Sequence, residues 1–391
     1  MEIKIVPPAD YEQIHQLRDY SFPNKYEGKR RQDFHYWIEH STTLGAYDLI
    51  KVVGQLLILP LNMTVHGVNF KMGGIGFVAT YPEYRNQGIM KKLMIKALHE
   101  MREKGQVISV LAPYSVSFYR HFGWEIFFDK VIYTIPTDAF PNFGQQQDRM
   151  IRMSFELLND EVFRDIQQFH NEHALRINGG MLRDQAWWKR LARREPDNHL
   201  AACYKEERLV GYIRYNIKNL TFSIKDFVAD NVEAEQAIWR FIISHQSSVE
   251  KIEGATSLKS RIGFNFQQPQ FKREVVQAVM VRVVDAYTFM QHYSWGKIEQ
   301  PLYIEIEDPF CPWNEHLYKI NTDGQVSILK EKLVKDDHIL QLPINLFSTM
   351  MVGYLSVLDV LEYSRCVMLK ECVVHWQKAI PNELPEFYEY F

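Results

Sequence analysis

Residues 85–90 read Arg-Asn-Gln-Gly-Ile-Met, a cation, two amide side chains and a glycine set directly before a helical pattern. The first turn of a helix presents backbone N–H groups without intrahelical partners and a partial positive charge, so it suits an anion. Gly88 removes the side chain that would keep a phosphate from those groups, and Arg85 supplies a cation just upstream. The chemistry on offer is a cradle for pyrophosphate. An ordinary helix start with a tolerant glycine is the plainer alternative. No Gly-Lys-Ser/Thr follows, which excludes the usual P-loop, and a single glycine does not make a dinucleotide fingerprint.

The elements around this turn set its context. After it, Ile89, Met90, Leu93, Met94, Ala97, Leu98 and Met101 fall on one helical stripe, with Lys91, Lys92, Lys96, Glu100 and Arg102 opposite. Before it, residues 52–65 and 68–80 are β-rich runs, and His66-Gly67 suits a tight hairpin between them. Asp10 can cap a helix carrying Tyr11, Ile14, Leu17 and Arg18, and residues 44–47 form a short strand. Gly105 ends the second helix, and residues 107–111 look like a buried strand. The order is helix, strands, helix, strand.

At 391 residues the chain exceeds one ordinary core, and its length favours roughly two to four domains. A net charge of −3 gives no general nucleic-acid surface. The four cysteines show no CxxC pair and read as reduced thiols. His170 and His173 lack a carboxylate or cysteine partner pattern and read as a surface pair, so no metal is expected. Trp187-Trp188, followed by Lys189, Arg190, Arg193 and Arg194, reads as an amphipathic helix with a core tryptophan. The start of the chain lacks an apolar signal core, and no apolar run approaches the roughly 20 residues of a membrane span. The expected compartment is the cytoplasm, with no membrane partner.

A fainter copy of the first pattern follows. Val-Val-Gly at 52–54 recurs as Leu-Val-Gly at 209–211, and Phe-Val-Ala-Thr at 77–80 as Phe-Val-Ala-Asp at 227–230. With a two-residue deletion, Ile89, Met90, Leu93 and Met94 fall on Ala237, Ile238, Phe241 and Ile242. Arg85, Gln87 and Gly88 then become Glu233, Glu235 and Gln236, so the copy keeps its packing face and loses its anion chemistry. After Tyr287 the texture changes. Residues 302–307 alternate like a strand, residues 317–321 and 326–329 suggest a hairpin about Asp323-Gly324, and residues 343–361 are largely helical.

Set between Gly-Phe-Val-Ala-Thr-Tyr-Pro-Glu-Tyr and its helix, the glycine turn resembles the acetyl-CoA signature of the GNAT N-acetyltransferases. Pro82, Tyr84, Arg85 and Gly88 match it, while Met90 replaces its last small residue. Ser-Phe-Tyr-Arg-His-Phe-Gly-Trp at 117–124 resembles the aromatic helix and Phe-Gly-aromatic turn of the same family. The whole chain resembles the enhanced-intracellular-survival (Eis) acetyltransferases. The fold class implied is α/β and α+β: an active GNAT domain at 1–140, a degenerate copy without a CoA site at 141–287, and a sterol-carrier-like α+β domain at 288–391.

That resemblance implies acetyl transfer from acetyl-CoA to a primary amine such as an aminoglycoside, a polyamine or a lysine. Two strands would splay apart and admit pantetheine against Phe77, Val78 and Thr80. The pyrophosphate would rest on Arg85, Asn86, Gln87, Gly88, Ile89 and Met90. Tyr119 would be the general acid, and the terminal carboxylate of Phe391 the general base, anchored by aromatic residues of the tail. Phe22 and Trp37, with Glu27, Asp33 and His35 nearby, lie where the family forms acceptor loops. A homo-oligomer, typically a hexamer, is implied as well. A lipid or acyl-CoA binding protein and an acyltransferase with a longer donor stay open as alternatives.

Overall fold

The computed structural model describes residues 1–145, 148–155, 161–331 and 334–391. They form two compact units, Met1–Phe128 with Ile177–Met181 and Ala278–Phe391, and Asp129–Arg176 with Leu182–Gln277.

The first unit opens with β1 (Glu2–Ile5), α1 (Tyr11–Ser21) and α2 (Gly28–His40). Asp10 stands at the start of α1, but its carboxylate accepts from Gln13 at 2.9 Å and from the Tyr47 hydroxyl at 2.9 Å rather than from a helix N–H. Helix α2 was not foreseen. Phe34, Trp37 and Ile38 give it a buried face, but the charged residues around them dilute the stripe. Strands β2 (Thr42–Asp48), β3 (Lys51–Val65) and β4 (Val68–Thr80) follow. His66 and Gly67 both take positive φ, 45° and 81°, which matches the right-handed twist of a two-residue hairpin. Helix α3 (Ile89–Glu103) leads to β5 (Ile108–Leu111), and the sheet runs β1-β2-β3-β4-β5. The α3 stripe packs on Leu44, Val53, Leu56, Ile58 and Leu111 in one core. Then come α4 (Val116–His121) and β6 (Glu125–Pro136), of which Glu125–Phe128 belong to this unit and the rest to the second.

The second unit carries β7 (Arg149–Ser154), α5 (Glu161–Arg176), α6 (Gln185–Arg194), β8 (His199–Lys205), β9 (Arg208–Lys218), β10 (Thr221–Ala229), α7 (Val232–Ile243), β11 (Lys251–Ser257) and the start of β12 (Lys272–Val283). β10 pairs antiparallel with β9 and parallel with β11, as β4 does with β3 and β5. Trp187 and Trp188 on α6 are both buried, and so is Arg190. The fold repeats, but the turn aligns differently from the sequence comparison. Residues 81–88 separate β4 from α3, whereas only Asp230 and Asn231 separate β10 from α7. Glu233, Glu235 and Gln236 therefore lie inside the first turns of α7, and the glycine turn is deleted rather than substituted. Asn231 caps that helix by accepting from Ala234 N–H at 2.9 Å. Beside the β10 bulge, Asp226 sits between Arg183 and Arg214, at 2.6 and 2.8 Å. Burial opposes its charge, but the two guanidinium groups hold its carboxyl well below the usual range.

The chain then returns to the first unit. The end of β12 pairs with β5, from Met280↔Leu111 to Val283↔Ile108. Helix α8 (Ala286–His292) precedes β13 (Leu302–Glu307), β14 (Leu317–Ile320), β15 (Val326–Leu329) and β16 (Ile339–Pro343), a sheet in the order β15-β14-β13-β16. Helices α9 (Ile344–Met351), α10 (Val357–Tyr363) and α11 (Lys370–Ala379) complete it, α9 and α10 being separate helices with Gly353 at a φ of 80° between them. On α9, Ser348 Oγ accepts from Val283 N–H at 2.8 Å and Thr349 donates to the Ile126 carbonyl at 2.8 Å. Both side chains are fully buried, so these bonds replace lost water and lock the C-terminal segment to the first sheet.

A buried ion pair completes that junction. Arg282 donates to both Asp308 oxygens, at 2.8 and 2.7 Å, with both side chains fully buried. It also bonds the Phe122 carbonyl and the Cys311 sulfur, while Asn314 donates to Asp308. Breaking such a pair strands a charge away from water. Asp308→Ala is expected to lower the unfolding free energy by about 3–5 kcal/mol, measured by urea titration; a loss within experimental error would show that the pair is not buried as described.

Candidate functional site

Strand β4 pairs with β3 along its length but with β5 only over Met72–Gly74. Its parallel ladder with β5 runs from Met72↔Ile108 to Gly74↔Val110 and stops, although β4 continues to Thr80. Downstream of Gly74 the ladder leaves one edge of β4 without a strand, and backbone groups so placed need another partner. On its β3 side the register slips between Gln55↔Ala79 and Leu57↔Gly76, a bulge in which Phe77 takes a positive φ of 55°. Gln55 is fully buried and turns its amide nitrogen to the Phe77 carbonyl at 3.4 Å. The bulge re-aims Phe77, Val78 and Thr80, all half-buried.

At the end of β4 the chain passes through a single 3₁₀ turn at Pro82–Tyr84, where the Tyr84 hydroxyl donates to Asp48 at 2.9 Å. Asn86 and Gly88 both adopt left-handed backbone, with φ of 62° and 73°. The first α3 bond is donated by Lys92 N–H to the Gly88 carbonyl at 3.1 Å, so the amides before it have no helix partner. Arg85, Asn86, Gln87 and Gly88 are exposed, Ile89 is buried and Met90 half-buried. Among the described residues, no ion pair engages the Arg85 guanidinium. The turn thus offers unpaired N–H groups, a helix terminus and a free cation together.

Ser115 caps α4 by accepting from Phe118 N–H at 3.4 Å. Tyr119 on that helix is 3% exposed, edge-on to Phe118 at 5.0 Å and to the exposed Tyr114 at 6.0 Å. Burial pushes its phenol well above its ordinary value, so it stays protonated at neutral pH. No side chain or backbone group among the described residues bonds its hydroxyl. The Tyr119 carbonyl accepts from Phe122 and Trp124 N–H at 3.0 and 3.2 Å, which folds the Phe-Gly-Trp turn back on α4. Gly123 has a φ of 88°, and a Cβ there would fall 1.7 Å from the Arg282 guanidinium. The turn is glycine because the buried arginine occupies that space.

The tail reaches the same strand. A Cβ on Gly74 would stand 2.8 Å from the Phe391 ring, and one on Gly76 would stand 3.6 Å from its carboxyl carbon. The terminal carboxylate therefore lies at β4, beside Gly76 and next to the bulge. Phe387, 2% exposed, packs on Phe127 at 5.7 Å, and Tyr388 on Phe128 at 5.3 Å. Gly74 and Gly76 escaped the sequence reading, although glycines crowded into a strand signal close approach by another group. Near the bulge, Phe77 packs at a tilt against Phe34 at 4.5 Å and meets the half-buried Phe22 edge-on at 6.4 Å. Trp37, in contrast, is 2% exposed and sits in the core behind α2, as does Asp33. His35 is exposed and stacks on His15, while Glu27 is exposed at the α2 start.

Comparisons with known proteins bear on the family and the fold. An acetyltransferase (GNAT) domain family matches residues 2–127, a second acetyltransferase (GNAT) domain family matches 179–283, and a sterol carrier protein domain matches 284–387. An uncharacterized N-acetyltransferase of Streptomyces avermitilis is 22% identical over 309 residues, covering 73% of this chain and 74% of that protein. N-acetyltransferase Eis of Mycobacterium tuberculosis is 24% identical over 226 residues, covering 53% of this chain and 54% of Eis. A crystal structure from Enterococcus faecalis V583, described as a probable N-acyltransferase, superposes with a TM-score of 0.91 at 26% identity, covering 100% of this chain and 99% of that one. The fold and site define an acyltransferase built from tandem GNAT domains and a sterol-carrier domain. The chain belongs to the GNAT N-acetyltransferases and is of the Eis-like kind. Among the described residues no helix is long and apolar enough to cross a membrane.

One histidine near the tail makes stability depend on acidity. His66 is 8% exposed with Nε2 at 3.2 Å from the Met351 carbonyl, and burial pushes its pKa from 6.5 down to about 4. The folded protein holds it neutral while the unfolded chain protonates it, so its contribution is complete above pH 6.5 and drains away toward pH 4. His15, lowered to about 4 by burial and then by Arg31, adds in the same direction. Urea midpoints are expected to fall between pH 7 and 4.5, less steeply in His66→Asn, which tolerates the left-handed backbone; an equal slope in that variant removes His66 from the account.

Proposed function

We propose that the chain transfers the acetyl group of acetyl-CoA to a primary amine by direct attack in a ternary complex. The observation that carries the reading is the terminal carboxylate of Phe391 held beside Gly76, on the strand whose far half is left without a β5 partner. Pantetheine would take the place of the missing ladder along Phe77, Val78 and Thr80. Arg85 and the amides of residues 87–90 would hold the pyrophosphate, with Asn86 shaping the turn. In the second copy the turn is deleted and Glu233 and Glu235 occupy the helix start, which favours exclusion of an anion.

An acceptor amine is mostly protonated at neutral pH and must lose a proton before it can attack. The Phe391 carboxylate accepts that proton. The amine nitrogen then bonds to the thioester carbon, with strand amides near the bulge polarising the carbonyl. Collapse of the adduct breaks the carbon–sulfur bond, and the thiolate takes the phenolic proton of Tyr119. The remaining ammonium proton of the adduct restores the phenol, so one amide, one thiol and one released proton result. Phe22, meeting Phe77 at the rim, would contact the acceptor, with Trp37 supporting it from the core.

The same reading takes residues 1–140 as the active domain, 141–287 as a copy without a CoA site and 288–391 as the domain that delivers the carboxylate. It also takes the protein as a cytoplasmic homohexamer, on family resemblance.

The test is thiol release from acetyl-CoA and longer acyl-CoAs, with and without polyamines and aminoglycosides. Amine-dependent release, fastest with acetyl-CoA, is expected; release only from long-chain donors, or tight acyl-CoA binding without turnover, overturns it. Tyr119→Phe and truncation of Phe391 are each expected to lower kcat about 100-fold, with acetyl-CoA affinity by calorimetry little changed. Normal turnover in either variant removes that group from the reaction.

A further inference from the structure

Residues 381–391 have no regular secondary structure, and ends of that kind ordinarily fray. A general base cannot work from a frayed end, because a misplacement of about 1 Å can cost 100-fold in rate. Aromatic packing of Phe387 and Tyr388 orients the last turns of the chain but does not fix how far along β4 they reach. Something must set that length.

Asn178 is placed to do so. Residues 177–181 lie between α5 and α6 in the chain yet pack within the first unit. Asn178 is 1% exposed, and each polar group of its side chain is engaged. Its Oδ1 accepts from His66 N–H at 3.1 Å, and its Nδ2 donates to the Val352 carbonyl at 2.8 Å and to the Glu383 carbonyl at 2.6 Å. Its own carbonyl accepts from Glu386 N–H at 2.7 Å. The amide orientation follows from these partners, since a flip would set NH2 against an N–H and oxygen against two carbonyls. The next residue, Gly179, has a φ of 88°, and a Cβ there would fall 2.7 Å from the Glu386 carbonyl oxygen. Thr64 adds a strand-like pair to this segment, its N–H donating to Gly180 at 2.8 Å and its carbonyl accepting from Gly179 at 2.7 Å. The turn is therefore anchored on the β3 end and grips the tail at two points.

We propose that Asn178 is a positioning residue for the terminal carboxylate, its grip on Glu383 and Glu386 setting where the Phe391 carboxylate rests beside Gly76. The inference depends on the proposed role of that carboxylate. The side-chain bond to Glu383 seats the backbone bond from Glu386 to the Asn178 carbonyl, and from Glu386 only residues 387–391 remain, a reach of at most about 18 Å, so the grip fixes the end to within a short tether. Asparagine is suited to this because one planar group supplies an acceptor to His66 and two donors to the carbonyls. Aspartate has no donor and alanine has neither.

The experiment compares wild type, Asn178→Ala, the Phe391 truncation and the double variant, assayed with acetyl-CoA and the amine that the panel turns over. A second readout is the rate at which carboxypeptidase A removes Phe391, followed by mass spectrometry on wild type and Asn178→Ala. For Asn178→Ala the expected result is a kcat loss of about tenfold, a KM for acetyl-CoA changed by less than about twofold, and faster loss of Phe391. The double variant is expected to be no slower than the truncation alone, because a residue acting through Phe391 has nothing left to position. Losses that multiply, or an end that stays protected with normal kcat, overturn the proposal. A truncation without effect overturns the catalytic reading of the carboxylate instead, and carboxypeptidase sensitivity then judges the grip by itself. If Asn178→Ala does not fold, Asn178→Asp keeps the size and Oδ1 while losing both donated bonds, and is judged by the same readouts.

Discussion

The constraint on which the rest depends is the parting of β4 and β5 after Gly74↔Val110. A strand interior normally satisfies both of its edges, and a half-paired one is costly unless another group takes up the bonds. The surrounding structure is arranged to hold that opening. Gln55 supports the bulge from below, α3 packs against the paired end, and the glycines of β4 leave room on its face for Phe391. The opening meets the α3 turn at one end and the tail at the other. A turn that follows β4 directly and a tail more than three hundred residues away therefore converge on a single strand edge.

The junction with the C-terminal segment is what keeps them aligned. Arg282, Asp308, Asn314 and the Phe122 carbonyl form a fully buried polar knot. Burying such a knot is unfavourable unless its charges are paired, and the paired geometry then admits few alternatives. It fixes the Phe-Gly-Trp turn, and with it the helix carrying Tyr119. Bonds from Ser348 and Thr349 extend the same lock to β12 and β6. The C-terminal segment thus acts as part of the first unit, which explains how its last residue reaches β4.

Much of the first fold was legible because its periodicities are strong. The hairpin at His66-Gly67, the α3 stripe and the later β14–β15 hairpin all follow from local pattern and turn chemistry. Helix α2 escaped because charged residues outnumber its buried ones, and tertiary contact rather than propensity decides it. The internal comparison found the duplicated fold but misplaced the turn. Apolar phase survives a shift along a helix, whereas the length of a connecting loop leaves no periodic trace. In the α9–α10 region a single glycine with positive φ broke what read as one helical run.

For the candidate site, residues 85–90 and 117–124 were legible as local motifs, since a helix terminus and a tight turn are specified by neighbours in sequence. Sequence alone determined the anion-ready turn, the strands that flank it and the order of the domains. Only the tertiary structure decided that β4 parts from β5, that Phe391 comes to rest against Gly74 and Gly76, and that Asn178 holds the tail that brings it there. The reason is range. Periodicity and capping act within a few residues, while a carboxylate meeting a strand more than three hundred residues away is selected by packing, which no local pattern records.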